Sequence, residues 1–196
     1  MTLETYLKLR EGVIQMGYEH DITWVETLVP PDNPDLFWAE YAWVVLNSGM
    51  KEQIARKIWE KVRPAVISGA GARSVFGHEG KAAAIDRVYR DRVKLYHEYM
   101  ALPAEKQLDW IRELPWIGPI TCYHLAKNYA LDVCKPDRHL VRIAAYYGMT
   151  PDELCGKLAT EATTASQTKV RIATVDMVIW RAANLGLTAA LAPATS

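Results

Sequence analysis

Apolar residues recur at intervals of three and four along nearly the whole chain, and apolar–polar alternation never persists beyond four residues. That spacing marks helices with one buried face. It predicts helices over 2–16, 36–49, 51–62, 81–100, 104–113, 119–130, 137–147, 151–160 and 168–185. "PPDNPD" at 30–35 breaks the chain ahead of "LFWAEYAWVVLNSG", whose helix should stop near Gly49. In "GMTPDEL", Thr150 as N-cap, Pro151 as first helical residue and Glu153 at the third position make a capping box. "SGAGARSVFG" at 68–77 is expected to be a flexible connection, and "VRIATVDMVIWRAANLG", apolar nearly all round, should be buried. With no repeat and no low-complexity tract, the expected fold class is all-α.

A chain of 196 residues, half of them apolar and 23% charged, can bury a substantial core. Its longest apolar run, Ala42 to Leu46, is far too short to span a bilayer, and "MTLETYLKLREG" lacks the apolar stretch of a signal peptide. Cys122, Cys134 and Cys155 include no CxxC pair, which argues against a disulfide framework, a zinc site or an iron–sulfur cluster. A reducing cytoplasm is therefore the expected location, with no membrane partner. Net charge is zero but unevenly spread: −6 over residues 1–40, +6 over 51–142, and balanced thereafter. Either an anionic partner for the middle of the chain or ordinary solvated helix faces would account for this.

The chemistry-bearing stretch is "ELPWIGPITCYHLAKNYA". A short helix ends at Leu114, a turn follows over Pro115, Trp116, Ile117 and Gly118, and a new helix is predicted from Pro119. Gly118 gives a flexible backbone just before a helix and Pro119 suits its first position. Amides in such a turn can hold a phosphate without reading sequence, although an ordinary helical hairpin has the same pattern. Asp137, in "KPDRHLVRIA", falls nineteen residues after Gly118. It can cap the next helix, act as a catalytic carboxylate, or do both, because a capping residue is rigidly placed.

Leu114, Pro115, Ile117, Gly118 and Thr121, followed by Asp137, His139, Leu140 and Arg142, resemble the helix-hairpin-helix DNA glycosylases. The match is specific over about thirty residues. Across a wider span, "WVVLNSGMKEQIARKIWEKV" is similar to the helix–turn–helix lining the family's base pocket, and "VDMVIWRAANLG" to its closing helix. The resemblance implies a two-lobed helical protein with a cleft between the lobes, which flips one nucleotide of double-stranded DNA out of the stack. One lobe would combine 1–50 with 151–196; the inserted lobe, 51–150, would carry the hairpin at 110–130 and the Asp segment. Asp137 would stabilise positive charge developing on the sugar or activate a water.

Departures from the family narrow the activity. Bifunctional members carry a Lys where this chain has Ile120, and Lys127 lies about 10 Å further along the helix, so lyase chemistry of the usual kind is not expected. The iron–sulfur cluster of one branch is missing, because the cysteine spacing is wrong. Trp116 replaces the first hairpin Gly, which alters phosphate or ion binding there; a structural monovalent ion at the hairpin is the one cofactor the resemblance allows. The family's gap-filling Gln aligns near Gly49, leaving Met50 either to wedge into the stack or to pack at a helix end. "WAEYAWVVLNSGM" with "KPDRHL" is also similar to phage enzymes that hypermodify thymine, displacing pyrophosphate from 5-(pyrophosphoryloxymethyl)uracil in DNA with an amino acid or polyamine.

Glu40, Trp43 and Asn47 share one helix face and either border a base pocket or sit at a lobe boundary. Asp176, among apolar neighbours, should make a structural hydrogen bond to a neighbouring helix. His124 belongs to the pocket set or is packed, and Lys135, Arg138, His139 and Arg142 are the phosphate-contact candidates. The leading expectation is a monomeric, monofunctional DNA N-glycosylase in a bacterial or phage-infected cell. The thymine-modifying transferase and a non-catalytic DNA-binding module are the alternatives.

Overall fold

The computed structural model describes residues 1–189. Among them it contains ten α-helices, one 3-10 turn and no strand, so the fold is all-α. The helices are α1 (Leu3–Gln15), α2 (Glu19–Thr27), α3 (Pro34–Asn47), α4 (Glu52–Ile67), α5 (Glu79–Met100), α6 (Ala104–Arg112), α7 (Thr121–Asn128), α8 (Arg138–Tyr146), α9 (Pro151–Ser166) and α10 (Ile172–Asn184). They form two compact units: Met1–Leu28 with the described residues from Ala130 onward, and Val29–Tyr129. The boundaries of these units, at 28/29 and 129/130, differ from the 50/51 and 150/151 of the sequence-based partition. The reason is packing: α3 packs on α4, α5 and α7, while α8 packs on α9 and α10.

In the discontinuous unit, α10 is the central element and packs on α1, α2, α8 and α9. Ala173, Val175, Met177, Val178, Ile179 and Ala182 are buried around its circumference, as its apolar sequence requires. Leu140, Ile143 and Ala144 of α8, and Leu154 and Leu158 of α9, join the same core. Arg171, just before α10, donates to the carbonyls of Val25 (2.9 Å) and Ala130 (2.7 Å), tying the end of α2 to the loop that leads towards Asp137. The capping box at Thr150 and Glu153 is formed, and each side chain bonds the other residue's backbone N–H.

The contiguous unit is built on α3. Its N-cap Asn33 accepts from the Leu36 amide at 2.8 Å, and Pro34 occupies the first position. Phe37, Trp38, Tyr41, Ala42, Val44, Val45 and Leu46 are buried, so this helix is a core element on several faces. Phe37 stacks on Tyr129 at 4.8 Å and also meets Tyr99 and Trp110, an aromatic cluster that brings α5, α6 and the end of α7 onto α3. Two polar tips are satisfied by backbone: Trp38 Nε1 donates to the Ile85 carbonyl and the Tyr129 hydroxyl to that of Phe37.

Three local expectations are corrected. The 17–35 stretch contains a helix, α2, that the pattern does not announce, since Ile22, Thr23, Val25 and Thr27 are β-branched and no side chain caps it. Helix α4 runs to Ile67 rather than stopping at 62; Pro64 sits in its last turns. The 68–77 segment is pinned rather than flexible. It holds the 3-10 turn Ala72–Ser74, buries Ala72 and Phe76, and gives the Ala72 amide to Asp86 at 2.7 Å.

Candidate functional site

Asp137 sits in extended backbone immediately before α8 and caps it. Its Oδ1 accepts from the amides of His139 (2.9 Å) and Leu140 (3.1 Å). Both bonds fall on the same oxygen, and Oδ2 makes no hydrogen bond among the described residues. The carboxylate is half-buried and fixed by one oxygen with the other available, so the capping role leaves a chemical role open.

The approach to Asp137 is held at several points within the same unit. Asp176, 2% exposed, accepts from the Lys135 backbone amide at 3.2 Å, a structural hydrogen bond to the loop before α8. The buried Cys134 thiol donates to Asp152 Oδ1 at 3.2 Å. Asp132 accepts from the Ala173 amide at 3.1 Å. Three carboxylates and Arg171 thus anchor six residues of loop, which removes much of the freedom Asp137 would otherwise have. Of the expected phosphate contacts, Arg138 is exposed, Lys135, His139 and Arg142 are half-buried, and the buried Nε of Arg142 has no hydrogen-bond partner.

In the contiguous unit, three segments meet at one end of α3. Helix α3 stops at Ser48, and Gly49 follows with φ +75°, a left-handed turn that suits a residue without Cβ. A Cβ at Gly49 would meet open space, and half-buried Met50 comes next. The Lys81 ammonium, from the first turn of α5, donates to the Ser48 carbonyl at 2.5 Å; burial pushes its pKa below the ordinary lysine value. The Tyr41 hydroxyl donates to the Pro115 carbonyl at 2.7 Å, fixing the 115–118 hairpin against α3.

The hairpin differs from expectation in where its conformational demand falls. Trp116, not Gly118, has positive φ, at +60°. Trp116 is 49% exposed, and His78 meets it edge-on at 5.0 Å. A Cβ on Gly80 would overlap the indole at Cζ2 and lie 2.9 Å from Cε2, so the ring occupies a socket that only glycine at 80 permits. The Gly118 amide is already taken by the Thr121 hydroxyl at 3.0 Å, and the first helical bond of α7 runs from Cys122 to the Gly118 carbonyl. Helix α7 is accordingly counted from Thr121 rather than Pro119. With the Gly118 and Cys122 amides bonded and Pro119 lacking an N–H, the amides of Ile120 and Thr121 are the donors left at this anion-attracting end. The carbonyls of Leu114, Pro115, Gly118 and Pro119 each accept a hydrogen bond.

Glu40 on α3 accepts from Asn128 Nδ2 at 2.8 Å, and the buried Oδ1 of Asn128 has no partner. Burial raises the Glu40 pKa, partly offset by that hydrogen bond. Trp43 and Asn47 are half-buried on the same helix, with the Arg56 guanidinium 5.7 Å from the Trp43 ring and the Asn47 carbonyl accepting from Met50 at 3.3 Å. Half-buried His124 lies on α7, as does buried Lys127. Ile117 is buried, so of the hairpin residues it packs inward.

Sequence reasoning did not identify His78, Gly80, Lys81, Tyr41 or Asn128 as parts of this arrangement. Each acts through a partner more than thirty residues away, and no local pattern marks such a pairing. Among the described residues no cluster of three or more His, Cys, Asp or Glu could hold a metal ion, and no helix is long and apolar enough to cross a membrane. No protein-family model matches the chain, and no curated protein or solved structure shows significant similarity to it.

Proposed function

We propose that the chain is a DNA-base-acting enzyme of the helix-hairpin-helix glycosylase kind, a monofunctional N-glycosylase with Asp137 as its carboxylate. The observation that carries this reading is the Asp137 geometry: one oxygen is held by two amides and the other makes no hydrogen bond. An ionised carboxylate so fixed needs no reorganisation to stabilise an oxocarbenium-like sugar or orient a water. The α7 N-terminus is the complementary feature, able to hold a backbone phosphate. Arg138, beside Asp137, supplies exposed positive charge for the same polyanion. Ile120, where a lyase Lys would stand, keeps the reaction hydrolytic.

The test is mass spectrometry of double-stranded DNA carrying a panel of damaged and modified bases after incubation with the protein. Release of a free base, lost in Asp137→Asn, supports the glycosylase. A mass gain on intact DNA that depends on an added amino acid or polyamine reassigns the fold to thymine hypermodification. Binding without change leaves a DNA-binding module. Asn caps helices as well as Asp does, so the substitution removes the charge and keeps the fold.

A further inference from the structure

We infer that Trp116 is a stacking platform for an unpaired nucleobase, so that the preferred ligand is DNA containing an unstacked or weakly paired nucleotide. The inference rests on the DNA-acting reading above and adds a residue role and a ligand class to it. Trp116 holds a left-handed backbone conformation, which strains an ordinary side chain, at a position where glycine would be unstrained. A bulky aromatic is nevertheless there, with half its surface in solvent. It is also immobilised: His78 contacts it edge-on, Gly80 provides a gap for one part of the indole, and the preceding carbonyl is held by Tyr41. A ring that is exposed and ordered before any ligand arrives can stack on a base at little entropic cost.

The surroundings favour a nucleic acid. From Leu114 to Leu131 the chain has no acidic side chain, half-buried His124 lies on the helix that the hairpin opens, and Glu79, next to the Gly80 socket, is neutralised by Arg73. The start of α7 adds the positive end of a helix dipole. With the Gly118 amide satisfied internally, the hairpin has lost one phosphate donor. The indole supplies binding surface of another kind, since every base has a π-face and stacking on an aromatic side chain is tolerant of sequence.

The experiment measures affinity of the full chain for one oligonucleotide in three forms: single-stranded, fully paired, and paired except for one central unpaired 2-aminopurine. The wild-type protein is expected to prefer the unpaired forms and to quench the 2-aminopurine. Trp116→Ala should reduce the preference about 10-fold, the scale of one base–aromatic stack, while Trp116→Phe retains most of it. Trp116→Gly, which suits the left-handed backbone, should lose the preference as Ala does and covers the case in which Ala fails to fold. The ratio of affinity for each unpaired form to that for the fully paired form is the readout, because partial unfolding lowers all three alike. If the wild type binds DNA and the variants keep its ratio, stacking at Trp116 is wrong and the broader reading stands. If the wild type binds no form of DNA, both are overturned.

Discussion

Trp116 offers a test of backbone strain that is independent of any ligand. Two terms oppose each other there. The indole is 49% exposed, so about half of a large aromatic surface, roughly 100 Å², is buried, and at about 25 cal/mol per Å² its removal costs about 2.5 kcal/mol. Against this stands the left-handed conformation at φ +60°, which Ala retains and Gly relieves. Trp116→Ala loses the packing and keeps the strain, and is expected to be destabilised by about 2–3 kcal/mol. Trp116→Gly loses the same packing, gains relief from strain, and gives part of it back through the greater freedom of glycine in the unfolded chain. The net expectation is that the Gly variant is more stable than the Ala variant by about 1 kcal/mol. Urea unfolding followed by circular dichroism measures both, with the difference read at the midpoints. This order reverses the usual one, in which Ala is the more stable substitute. An Ala variant as stable as Gly, or more so, refutes the claim that this position stores strain.

Gly80→Ala should displace the indole and lower stability by about 1–3 kcal/mol in the wild-type background. In a Trp116→Gly background it should cost little, and a double-mutant cycle by urea unfolding checks the coupling. Asp137→Ala removes the cap and should cost about 1 kcal/mol, whereas Asp137→Asn should stay within about 0.5 kcal/mol of wild type, both measured by thermal unfolding. Burial holds the Glu40 carboxyl above its ordinary value of 4.5, so the folded state keeps this proton to higher pH than the unfolded chain does. That contribution is full below 4.5 and is lost as pH rises through the raised folded value. Glu40→Gln does not titrate, so its stability relative to wild type should improve from ~pH 4 to ~pH 8; an unchanged difference would sink the assignment.

The helical class, and nine of the ten helices among the described residues, can be read from the spacing of apolar residues. Helix α2 is rich in β-branched residues, Ile22, Thr23, Val25 and Thr27, which weakens its local helical signal, and it packs on α10. The Asp137 cap is legible because capping is local: the acceptor and its donors lie within three residues. The hairpin turn is legible in place but not in conformation. Two glycines, 118 and 80, are present, and nothing in the chain tells that the left-handed position is the Trp between them or that Gly80 makes room for its ring. The Glu40–Asn128 pair spans 88 residues, and the boundary between the compact units depends on which helix each surface covers. Such features are set by tertiary packing, which local pattern does not encode.

The discontinuity of one unit has a consequence for synthesis. Residues 29–129 form a continuous segment with its own core, complete once Tyr129 has left the ribosome. The first 28 residues have no such option: α1 and α2 bury their apolar faces against α10, which ends at Asn184. They must stay uncommitted while about 150 further residues are added, ~8–30 s at typical elongation rates. A chain terminated before α10 would therefore display Val13, Ile22 and Val25 without a partner while its middle segment matured normally. Such a product is a substrate for chaperones and proteases, not a half-active protein.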